Sequence, residues 1–116
     1  MKMPLVNDSI SLSLSTEIKR ALLSAASSGD NTLVAAVTGK QIIVMSMVIV
    51  LGAAETTLIF KSGGTALTGS MVFVDNSGPN LGYSPMGHLE TSEGEALVLN
   101  LSGANTTGGF LTYIEI

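Results

Sequence analysis

Residues 40–51 read KQIIVMSMVIVL, from Lys40 to Leu51, and their interpretation decides the fold. In a strand with period-two alternation, Ile42, Val44, Ser46, Val48 and Val50 point one way and Ile43, Met45, Met47, Ile49 and Leu51 the other. Both sides are apolar. An antiparallel sheet usually packs one face on a core and leaves the other in water. The second face therefore needs cover, from another layer of the same domain or from a neighbouring subunit. The neighbour is the expectation adopted. The apolar run from Ile42 to Ala54 is too short for a membrane-spanning helix, which needs about 20 residues.

The same period extends in both directions. Ser9–Ser15 reads SISLSLS, a half-buried strand with Ile10, Leu12 and Leu14 on one face. Residues 17–28 carry some helical spacing at Ile18, Leu22, Ala25 and Ala26, but they are Ser-rich and lack a cap. A strand over Arg20–Ala26 is expected there. Further strands are expected over Asn31–Val37, Thr56–Lys61, Thr65–Leu67, Met71–Val74, His88–Thr91, Glu95–Ser102 and Gly109–Ile116. Gly63-Gly64 between two of them is a tight-hairpin signal, because primed turns need positive φ. Asp75–Pro85, DNSGPNLGYSP, reads as a loop. With Thr65–Leu67 and Met71–Val74 as one strand broken at Gly69, eight or nine short strands with regular turns and no helix predict an all-β, antiparallel β-sandwich of jelly-roll type. Residues 9–116 form its single domain, and Met1–Asp8 forms an N-terminal arm.

Composition narrows the function. Charged residues are 12% of the 116, against about 25% in ordinary soluble domains, while hydrophobic residues reach 46%. Such a surface suits burial against copies of itself or a host particle. The net charge of −4 and five scattered basic residues argue against a nucleic-acid partner. Cysteine is absent, so disulfides and thiolate sites are excluded. The N-terminus lacks the apolar core of a secretory signal, so a cytoplasmic origin without membrane insertion is expected, and the sequons at Asn7, Asn100 and Asn105 read as chance matches.

Catalytic patterns are not apparent. His88 is the sole histidine, no nucleophile elbow is present, and a serine without a base stays unreactive. Glu90, Glu93 and Glu95 form the one carboxylate cluster, without the loop pattern of a calcium site. The expectation is therefore a non-enzyme with no cofactor and no metal. Phe60, Phe73 and Phe110 are expected to face the core, while Tyr83 in the Pro-bounded loop could stack on a sugar.

Assembly is the better-supported theme. The final strand has Phe110, Ile114 and Ile116 on one side and Leu111 and Tyr113 on the other, so it too is apolar on both faces. Ile43, Met45, Met47, Leu111 and Tyr113 are the expected oligomer contacts. Met1, Lys2, Met3, Pro4, Leu5 and Val6 are the expected attachment segment.

Four ordered segments carry a resemblance: GDNTLVAAVTGKQIIV (29–44), FKSGGTALTG (60–69), GEALVLNLSG (94–103) and GGFLTYIEI (108–116). Over about three quarters of the chain it resembles small virion proteins of tailed bacteriophages, of the capsid decoration (cement) type or of head-fibre and tail-fibre modules. The resemblance implies a homotrimeric β-sandwich on the capsid surface, made in the host cytoplasm, with the major capsid protein as partner. The alternative it implies is a receptor- or glycan-binding fibre module.

Overall fold

The computed structural model describes residues 17–116. The strand expected at Ser9–Ser15, the arm Met1–Asp8 and the attachment residues Met1 to Val6 lie outside the described residues. Among the described residues, ten strands occur in chain order: β1 (Lys19–Ala25), β2 (Gly29–Val34), β3 (Ile42–Leu51), β4 (Thr56–Ser62), β5 (Thr65–Ala66), β6 (Met71–Phe73), β7 (Asn80–Leu81), β8 (Leu89–Glu90), β9 (Leu97–Leu101) and β10 (Thr107–Glu115). No helix occurs among the described residues. The ambiguous segment is a strand, β1, because Ala21, Leu23 and Ala25 share a covered face while Leu22 and Ser24 lie on the other.

The strands form two antiparallel sheets. The first runs β1-β10-β3, with β7 and β8 both pairing the far edge of β3. The second runs β2-β9-β4, with β5 and β6 both pairing the far edge of β4. The first half of the chain thus zips against the second in reverse order: β1 with β10, β2 with β9, β3 with β7 and β8, β4 with β5 and β6. Rolling that ribbon brings β10 beside β3 and β9 beside β4. This is the strand order of a jelly roll, with the fourth strand of each sheet split into two short pieces.

One irregularity sets the orientation of everything on β3. Ser46 pairs with Thr112, whereas the next residue of β10, Tyr113, pairs with Val44. Met45 is left opposite no residue, a β-bulge. An extra residue shifts the alternation by one. Ile42 and Val44 face inward before the bulge, and Met47, Ile49 and Leu51 face inward after it, all five at 1% exposure or less.

The inward residues of both sheets make one core. Leu23 and Leu111 of the first sheet meet Leu58, Phe60, Leu97, Leu99 and Leu101 of the second, with the inward side chains of β3 between. Burying each such side chain contributes about 1.5–3 kcal/mol relative to exposure. The Gly-Gly turn is as expected: Ser62 pairs with Thr65, and Gly63 has φ +55°.

Polar groups hold the corners. Asn105, buried, donates from Nδ2 to the Ala54 carbonyl at 2.7 Å and to Thr56 Oγ1 at 2.9 Å. Thr91 Oγ1 accepts from the Ile42 amide at 2.9 Å. Among the described residues, no buried side-chain nitrogen or oxygen lacks a partner, as buried polar atoms require.

Candidate functional site

The outward face of the first sheet is the feature that remains unexplained by folding alone. Partners across an antiparallel ladder face the same side. The central row is therefore Leu22, Phe110 and Val48, which are paired in that order across β1, β10 and β3. Beside it lie Ser24, Gly108 and Val50, and on the other flank Arg20, Thr112 and Ser46. Beyond the bulge the row is Ile114, Ile43 and Glu90. Leu22 is 82% exposed, Val50 49% and Phe110 39%.

Its polar groups are few and are placed at the sides. The Arg20 guanidinium lies over the Phe110 ring at 5.6 Å from its centroid, a cation–π contact. Ser46 and Thr112 share a hydrogen bond of 2.5 Å, so their hydroxyls satisfy each other. Arg20 sits on the edge strand β1, and Glu90 on β8 at the opposite edge. An apolar middle with a charged margin is the anatomy of a protein interface.

The outward face of the second sheet differs. Lys61 Nζ donates to both carboxylate oxygens of Asp30, at 3.1 and 3.0 Å, and Asn100 Nδ2 donates to Asp30 Oδ1 at 2.7 Å. The Asn100 hydrogen bond and then the Lys61 hydrogen bond hold the Asp30 carboxyl below the usual aspartate range. At the end of the sandwich, Lys19 Nζ donates to Glu115 Oε1 at 2.6 Å. That hydrogen bond, followed by the attraction of the same carboxylate, raises the Lys19 pKa above its usual value.

The expected contact residues are redistributed by this geometry. Met47 and Leu111, at 1% and 0% exposure, point into the core and offer no outer surface. The reason is the bulge for Met47, and for Leu111 its pairing with inward Met47 and Ala21. Tyr113 also packs against the core from the inner side. Met45 is buried at 4%, apart from the main cluster. Ile43 alone of the five lies on the outer face, half-buried. Phe110, expected inside, faces out. Phe60 is in the core and Phe73 packs against it.

Leu22, Val48, Val50 and Ile114 are thus the outer-face residues that the sequence reading missed. The available signal was the inward run Ala21, Leu23, Ala25 of β1, which leaves Leu22 stranded among outward positions.

The remaining chemical groups stay apart. His88 is exposed, with Nε2 donating to the Gly82 carbonyl at 2.7 Å. Glu95 accepts from Ser62 Oγ at 2.5 Å, while Glu90 and Glu93 are exposed. Among the described residues, no three His, Asp or Glu side chains converge as metal ligands would. The stretch Asp75–Pro85 is more regular than a loop: Ile49 and Leu51 donate to the Pro79 and Ser77 carbonyls, and Ser84 donates to the Met45 carbonyl. Tyr83 projects from it, 62% exposed. No family model, curated protein or solved structure matches the chain.

Proposed function

We propose that this chain is a non-enzymatic structural protein that associates with copies of itself through the outer face of the first sheet. With the resemblance described above, the specific form proposed is a homotrimeric decoration protein on the head of a tailed bacteriophage. There it bridges neighbouring major capsid subunits. The observation that carries the assembly reading is the row Leu22–Phe110–Val48, apolar side chains turned outward at the centre of a sheet. Contiguous apolar patches of this kind mark interaction sites more often than solvated surfaces.

The mechanism is additive. A rigid trimer touching several capsid subunits holds them through linked contacts, so separating any two requires breaking its own contacts as well. A stable self-contact buries about 800 Å² per partner. The half-exposed side chains of β1, β10 and β3 supply its apolar centre, and Arg20 and Glu90 its margin.

Light scattering coupled to size exclusion tests the reading: a mass three times the 11.9 kDa of one chain is expected. A single-chain mass at micromolar concentration overturns it. Copy number on purified particles separates the decoration protein, present at hundreds per head, from the alternative of a fibre module using exposed Tyr83, present at a few per tail.

A further inference from the structure

We infer that the chain binds a small, uncharged, largely apolar molecule in a cavity between its two sheets. This goes beyond the assembly reading and does not depend on it. The cavity is partly open to solvent, has a volume of about 390 Å³ and lies where the split fourth strands of the two sheets face each other. Met47, Leu81 and Leu89 line it from the first sheet, and Phe60, Met71 and Phe73 from the second.

Its origin is in the strand lengths. β3 and β4 run 10 and 7 residues and fill the space between the sheets, whereas β5, β6, β7 and β8 run 2, 3, 2 and 2. The broken strands deliver too few inward side chains to close the gap. Protein interiors pack to crystal-like density, so the gap persists as a cleft that is partly open to solvent. Met47 and Met71 on opposite walls can adjust to an occupant, since the thioether chain is unbranched and flexible.

The polar inventory defines the ligand. Thr68 Oγ1 accepts from the Phe60 amide at 3.1 Å and donates to the Gly69 carbonyl at 3.0 Å, so its hydroxyl is already engaged. His88 donates from Nε2 to the Gly82 carbonyl, which in the neutral imidazole leaves Nδ1 as an acceptor. No Asp, Glu, Lys or Arg side chain lines the cavity. A charged ligand would give up its hydration without a partner. The class is therefore an apolar chain or ring system carrying at most one hydroxyl. Scaling from the ~150 Å³ cavity that holds benzene, it has about ten to fifteen non-hydrogen atoms.

The experiment titrates the full chain, with methyl groups of Met, Leu and Val labelled with carbon-13, with 1-decanol and separately with decanoate. Saturable shifts are expected at Met47, Met71, Leu81 and Leu89, with Leu22 and Val50 on the outer face unmoved. Decanoate is expected to bind at least about tenfold more weakly. Met71→Trp, which fills the cavity, should weaken 1-decanol about tenfold or more with the melting temperature retained. If that variant does not fold, contacts between decanol protons and the Met47 and Phe73 side chains, read by nuclear Overhauser effects in the unmodified chain, decide instead. Absence of saturable shifts, shifts confined to Leu22 and Val50, or equal affinity for decanoate would each overturn the proposal.

Discussion

Leu22 and Phe110 lie directly opposite each other across the β1–β10 ladder, and both side chains leave the sandwich. A cross-strand apolar pair contributes roughly 0.2–1 kcal/mol, yet this one keeps most of Leu22 in water. Arg20 covers the Phe110 ring but not its neighbour. A sheet face meant for solvent would carry threonine or lysine at these positions. On the proposed assembly reading, this pair is the centre of the contact with a second copy.

Replacing Leu22 by Glu should lower the mass seen by light scattering to that of a single chain. Thermal stability at low concentration should change by less than about 0.5 kcal/mol, the usual range for surface substitutions. An unaltered mass would show that the contact lies elsewhere.

The two faces of β10 should respond oppositely to truncation. Leu111→Ala removes core packing and should cost about 2–5 kcal/mol in urea unfolding. Phe110→Ala, on the outer side, should cost about 1 kcal/mol or less in the dissociated chain. Met47→Ala belongs with Leu111 and should also fall at about 2–5 kcal/mol.

Adjacent glycines provide a second contrast. Gly109 has φ +146°, and a Cβ there would collide with the Val48 carbonyl oxygen. Gly109→Ala should destabilise by roughly 3 kcal/mol or more, combining backbone strain with overpacking. Gly108→Ala, where a Cβ meets nothing within 4 Å, should shift the unfolding midpoint little.

Acid should weaken the fold partly through Asp30. Its carboxyl, held low by Asn100 and Lys61, favours the folded state fully above the unfolded aspartate value of about 4. The contribution declines as pH falls from there through the lowered native value. Asp30→Asn should flatten the stability profile over that window, as followed by urea unfolding at successive pH values. An unchanged profile would show that the ion pair exerts no effect.

Much of the fold was legible because alternation and turn chemistry agreed. The strand β1 followed from a short, Ser-rich segment without a helix cap, and the β4–β5 hairpin from Gly63-Gly64. The faces were harder to read. No glycine or proline flags the bulge at Met45, and with apolar residues at Val44, Met45 and Met47 either parity looked acceptable. The β10 strand had the same ambiguity: Phe110 and Leu111 are equally hydrophobic, and only the partner register separates them. The strand β7 was hidden within Asp75–Pro85, whose turn-forming composition masks its pairing with Met47 and Val48. The cavity depends on how short the edge strands are, a property of tertiary pairing that local sequence does not encode.

The reverse-order zipping of the jelly roll constrains how this molecule can be made. A nascent chain leaving the ribosome can close the β4–β5 turn early, since Ser62 needs only Thr65. Lys19, in contrast, must await Tyr113, so the β1–β10 ladder forms only after residue 113 has been made. Until then the greasy segment at 42–51 travels without its β10 partner. Ladders that join such distant positions are intrinsically slow to form and open to aggregation, and deleting β10 should be far more damaging to yield than its small share of the mass suggests.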